Sequence, residues 1–157
     1  MSITFPKLNL PLTNLTIKDQ DGKIRVFDQF RKKFVILTPE EWVRQNFLHY
    51  LIEHLGYPAG LISVERLLRS ASMSFRTDAV VFNRMTQPIM LLEFKAVSVI
   101  LDKKTLFQIA KYNRELEVPY LIVSNGMEHF CLELDRKLGQ FSFVDEIKSW
   151  SELEPDG

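Results

Sequence analysis

Residues 90–96 read MLLEFKA, and the reading of this stretch decides the fold. In a strand, side chains alternate between faces, so Glu93 and Lys95 point the same way and Phe94 points opposite. Apolar residues fall on both faces of the run, which marks a central strand rather than an exposed edge. Charges inside such a strand are costly unless they pair with each other or with something else. What faces Glu93 and Lys95 is therefore the question.

The preceding strand-like run, TDAVVFN at 77–83, supplies one answer. A hairpin turn centred between Met85 and Thr86 places Asp78 opposite Glu93, with Cα atoms roughly 4.5–5.5 Å apart. A slip of one residue would turn Asp78 to the wrong face. In that register two carboxylates and one ammonium meet at one end of a two-stranded ribbon. Mg²⁺ is typically held by one or two carboxylates, with waters and phosphate oxygens completing its shell. Such an ion polarises a phosphodiester and lowers the pKa of a bound water, and a nearby Lys stabilises the charge that develops. The plain alternative is a Glu–Lys pair on a solvated face.

The rest of the chain sets this ribbon in an α/β domain. TPEEWVRQNFLHYLIEHLGYP, 38–58, carries a full set of helix signals. Thr38 is the N-cap, Pro39 opens the first turn, Glu41 completes a capping box, and Gly56 with Pro58 stops the helix. LISVERLL follows as a strand, and polar RSASMSFR leads into the Asp78 strand. A second helix fits 103–117, with Leu106, Ile109 and Ala110 on one side and Gln108, Lys111 and Tyr112 on the other. YLIVSNG and HFCLEL read as a strand pair turned at Asn125-Gly126, and the tail adds a short strand and a helical turn. Residues 1–23 read as an extended arm with a turn at Asp21-Gly22, and 24–157 as one domain.

RTDAVVF, then LLEFKA with Glu93 fifteen residues after Asp78, resembles the metal-binding core of the PD-(D/E)xK nuclease superfamily. Within it, residues of about 25–135 are similar to the N-terminal nuclease domain of type I restriction enzyme R subunits. QIAKY at 108–112 resembles the Q-x-x-x-Y motif of RecB-like members, and LTPEEWVRQ resembles the first helix of the group. The resemblance implies a restriction-endonuclease-like core: a central mixed sheet of four to five strands flanked by helices, in the order αβββαβ. It implies Asp78, Glu93 and Glu41 as metal ligands and Lys95 as the catalytic lysine. Gln108 would position that lysine or the DNA backbone, supported by Tyr112. It also implies Mg²⁺ as cofactor, with Mn²⁺ able to substitute. One departure is Thr77, where the superfamily name has Pro. Gln108 and Tyr112, four apart, share a helix face, as that role requires.

Other features carry less chemistry. His49 and His54 are five apart and share no helix face, and His129 is distant, so metal-site spacing is missing. Cys131 is single and reads as a small buried strand residue. Glu65 reads as a solvated strand residue on the strand before Asp78, and Arg66, Arg69 and Arg76 as loop charges able to touch phosphates. Twenty Lys and Arg balance twenty Asp and Glu, so bulk charge gives no support to coating of nucleic acid. No apolar run is long enough to span a bilayer, and the single cysteine fits the cytoplasm.

The expectation is a Mg²⁺-dependent deoxyribonuclease acting on DNA, alone as a homodimer or with a motor or specificity partner protein. The alternative is a catalytically inactive nuclease-like domain that binds nucleic acid or a partner protein.

Overall fold

Thr38 adopts extended backbone and its hydroxyl accepts from the Glu41 amide, which starts α1, Pro39–Glu53. Pro39 in the first turn lacks only an N–H that would have no partner there. The Glu41 side chain does not return to the cap, so only half of the expected capping box forms. It is drawn instead to Arg31 and Arg44. The computed structural model describes residues 5–154.

Among the described residues, nine strands form two sheets. The first is a small antiparallel meander of β1 (Ile17–Gln20), β2 (Lys23–Asp28) and β3 (Lys33–Ile36). Its first turn, Asp21-Gly22, has both residues at positive φ, 56° and 77°, as a tight two-residue hairpin demands. The expected arm boundary at residue 23 thus falls inside a hairpin.

The second sheet has six strands in chain order, β4 (Ile62–Arg69), β5 (Ser74–Phe82), β6 (Pro88–Phe94), β7 (Tyr120–Ser124), β8 (His129–Asp135) and β9 (Gln140–Val144). It is mixed: β6 and β7 run parallel and every other neighbour pair is antiparallel. The expected four to five strands become six because the tail contributes β9, while the segments before α1 form a sheet of their own. Between β6 and β7 the chain crosses over through α2, Lys103–Asn113, capped by Asp102. α2 stops short of the expected residue 117, passing into a 3₁₀ turn at Arg114–Leu116 that ends on Glu117 at φ 53°. A last turn, α3, spans Trp150–Leu153.

The sheet is sandwiched. On one side Val43, Phe47 and Leu51 of α1 pack against Ala79, Val81, Met90, Leu92 and Phe94. On the other, Leu106 and Ala110 of α2 pack against Val80, Leu91, Leu121 and Val123. β6 therefore has neighbours on both edges and a helix over each face, as its apolar run required. At roughly 25 cal/mol per Å² of apolar surface removed from water, these two layers are the main stabilising term. No helix among the described residues is long and apolar enough to cross a membrane.

Candidate active site

Ala79 faces Leu92, Val80 faces Leu91 and Val81 faces Met90. This is the register set by a turn centred between Met85 and Thr86; it shifts only between Val81 and Phe82. Continued one residue past its last pair, this register brings Asp78 level with Glu93, and the Phe94 amide donates to Asp78 Oδ2 at 2.7 Å. In the β4–β5 ladder, Val64 faces Ala79 and Arg66 faces Thr77, so Glu65 falls between them, opposite Asp78. Glu65, Asp78 and Glu93 thus form one row of carboxylates across three adjacent strands.

The row marks a change in the sheet. Glu65 sits at φ 53°, uncommon for a residue with a side chain. Before it, Val64 packs on the α1 side; after it, Leu68 packs on the α2 side. On β5, Ala79 and Val81 face α1, whereas Phe75 meets Tyr112 of α2 with ring centroids 4.9 Å apart. The alternation reverses across Glu65 and Asp78, and the outer half of the hairpin turns over there.

Glu93 is half-buried, within side-chain hydrogen-bonding reach of the Asp78 carboxyl, and no Lys, Arg or backbone N–H among the described residues donates to it. Burial, and the charge of Asp78 beside it, push its pKa up to about 8, while Lys95 pulls the other way. Lys95 itself lies just past the end of β6, its amide bound to the Ser124 carbonyl at 2.9 Å, with no ion pair among the described residues. Two hard carboxylates side by side, one short of donors and a lysine next to them, fit a small divalent cation that keeps waters in its shell. They do not make a closed cage: no group of three or more His, Cys, Asp or Glu converges on a point among the described residues.

Glu41 and Glu65 are held by arginines. Arg44 of α1 forks onto both oxygens of Glu41, at 2.7 Å each, and donates to Glu65 at 2.8 Å and to the Asp78 carbonyl at 3.4 Å. Arg31, in the turn between β2 and β3, joins Glu41 to the buried Asp28. Burial works to raise the Glu41 carboxyl, but hydrogen bonds and charge from Arg44, then Arg31, hold it below the usual range. Glu65 is lowered too: burial opposes, and Arg44 and Arg76 win. A cleft of about 270 Å³ opens over this network, lined by Arg31, Glu41, Arg44, Glu65 and Asp78 among others.

Asp78 and Glu93 therefore stand together, with Lys95 near enough to act on Glu93; Asp78 and Glu41 line the cleft, whereas Glu93 and Lys95 are not among the residues that line it. Gln108 and Tyr112 are exposed side by side on α2 and line a shallow pocket with Met73 and Lys111. No hydrogen bond joins Gln108 to Lys95 among the described residues; Tyr112 is fixed by Phe75, three residues before Asp78. Glu65 is far from a solvated strand residue. Arg31 and Arg44 had no sequence signal, since an arginine in a helix or a turn is ordinary until its partners, from four elements, are known.

The sequence over residues 39–147 matches the family described as type I restriction enzyme R protein N terminus. The match takes in more than half of the chain, and the chain belongs to this family. A search of curated proteins gives no match. Among solved structures, the chain is similar to a fragment of a protein described as an HsdR subunit of a type I restriction enzyme from Vibrio vulnificus YJ016. Identity is 18%, the TM-score is 0.46, and the similarity covers 72% of this chain and 24% of that one. The chain spans about a quarter of the length of that relative.

Proposed function

We propose that the domain is a Mg²⁺-dependent deoxyribonuclease of the PD-(D/E)xK kind, hydrolysing phosphodiester bonds of DNA. The observation that carries this reading is the pairing of Asp78 with Glu93 across β5 and β6, with Lys95 two residues on. Family membership, with a type I restriction enzyme R protein, supports DNA as the substrate.

Asp78 and Glu93 would hold Mg²⁺, or Mn²⁺ in its place, with the second oxygen of Asp78 anchored on the Phe94 amide. The bound ion would polarise the phosphodiester and make its water more acidic. Lys95, with no ion pair among the described residues, would orient the attacking water and offset the negative charge that builds on the phosphoryl oxygens. Glu93 must lose its proton to serve, which the cation favours. Glu41 acts through Arg44, which ties α1 to Glu65 and to the Asp78 backbone. Gln108 and Tyr112 stand on the α2 side, where they would contact the lysine or the DNA backbone once DNA is bound. Partners follow from the same reading: DNA, a second copy for a paired cut in a duplex, or a motor or specificity subunit. Its place would be the cytoplasm, with the DNA.

The test is cleavage of circular, linear and single-stranded DNA with Mg²⁺ or Mn²⁺, wild type beside Lys95→Ala. Cleavage that the variant loses, by at least about 100-fold as for a removed electrostatic stabiliser, supports the nuclease. Undiminished cleavage by Lys95→Ala removes the lysine from the mechanism. DNA bound by a metal-independent, inert wild type would favour the non-catalytic alternative.

A further inference from the structure

Residues 66–77, RLLRSASMSFRT, hold three arginines and no acid, in a chain whose twenty Lys and Arg balance twenty Asp and Glu. This is the outer half of the β4–β5 hairpin, beyond the row of Glu65 and Asp78. Its two faces differ. One is closed against α2, through Leu68 and through Phe75 on Tyr112. Arg66 belongs to that side, its guanidinium 5.3 Å from the Phe82 ring centre. The other face is open: Leu67 faces Arg76, and two residues on Arg69 faces Ser74. Leu67 is 50% exposed, and the Arg76 side chain 75%.

The open face runs into the cleft. Arg76 donates twice to Glu65 Oε2, at 2.9 and 3.0 Å, while Glu65 Oε1 receives Arg44 at 2.8 Å. From that point Arg69 lies about 7 Å further along the ribbon, two residues at strand rise, and makes no ion pair among the described residues. The result is a line of cations leading outward from Asp78 on the open face, with an aliphatic side chain between them; the carboxylate that reaches the outer hairpin, Glu115, accepts from Ser72 at its turn, at 3.0 Å.

We propose that the open face of the β4–β5 hairpin, Arg76 and Arg69 above all, carries the sugar–phosphate backbone of the DNA strand that leads away from the metal site. The inference rests on the nuclease reading and deepens it by assigning a binding surface. Charge complementarity selects the partner: Arg76, exposed beyond its Glu65 contact, and Arg69 suit a polyanion, and their continuity with the cleft puts that polyanion's phosphates in line with Asp78, which lines it. Arg76 is already ordered by Glu65, so little freedom is lost when a phosphate arrives. Arg69 supplies the next contact.

Binding of the full chain to a short duplex is measured over a range of salt, with Ca²⁺ in place of Mg²⁺ so that DNA is not consumed. Each phosphate contact removed lowers the slope of log affinity against log salt by about one. Arg69→Ala is expected to lose about one unit of slope with unchanged thermal stability. Arg66→Ala, on the closed face of the same hairpin, is expected to keep the wild-type slope and serves as the internal control. Arg76→Ala is expected to behave as Arg69→Ala, with its unfolding followed alongside because it also releases Glu65. A wild-type slope in Arg69→Ala overturns the inference and leaves the nuclease reading intact. Equal losses in Arg66→Ala and Arg69→Ala overturn it as well, since general charge would then explain the binding. A wild type that binds no DNA at all overturns both.

Discussion

Glu93 is the residue at which the account is most exposed, because its ordinary carboxyl value of 4.5 rises to about 8 in the fold. Between these values the unfolded chain carries an ionised Glu93 and the metal-free fold a protonated one. The unfolded state therefore binds fewer protons, and stability contributed by this group falls as pH climbs through the window, then levels off above it. At about 1.4 kcal/mol per pKa unit the loss is at most about 5 kcal/mol. Glu93→Gln removes the titration, so chemical denaturation on either side of the window should show the variant's advantage growing toward high pH. A constant difference would contradict the burial and the Asp78 proximity described above. Arg44 makes a second prediction. Its guanidinium is the partner of Glu41 and Glu65 together, so Arg44→Ala leaves a buried carboxylate without its fork and should cost about 3–5 kcal/mol. Arg44→Lys keeps the charge and loses the bidentate geometry, and should fall between.

Among the elements, α1 is set by its cap and its buried face in separate ways. Thr38→Ala should cost about 1 kcal/mol in denaturation, since the Glu41 amide loses its acceptor. Because the Glu41 carboxylate is engaged by arginines rather than by the cap, the Thr38 change should leave the cleft network unaltered. This distinction was not legible in TPEEWV, where the spacing alone fits a capping box. The hairpin of β5 and β6 was legible, because a short turn fixes register and register fixes which side chains face each other. Asp78 opposite Glu93 follows from that alone. β1 was hidden: IKDQ is short, exposed throughout and has no apolar alternation. Glu65 was also misread, since its neighbours Arg44 and Arg76 come from another helix and another strand, and no local pattern announces a left-handed residue within a strand. Gln108 and Tyr112 share a pocket on α2, yet what that face meets depends on how the β4–β5 hairpin turns over.

On the scale of the whole molecule, the small sheet, α1 and the hairpin converge on one cleft, and a chain of charges from Asp28 through Arg31, Glu41, Arg44 and Glu65 to Arg76 links them. Each carboxylate in that chain has a guanidinium; among the described residues, Asp78 and Glu93 have none. That contrast separates the carboxylates tied into the fold from the pair to which the proposed function gives a cation. The most direct test is a Mn²⁺ titration followed by electron paramagnetic resonance, which reports metal binding without needing DNA or a partner subunit. One bound ion per chain is expected in the wild type, strengthening as Glu93 ionises, with its loss in both Asp78→Asn and Glu93→Gln. A wild type that leaves all Mn²⁺ free, or variants that bind it as the wild type does, would contradict the account.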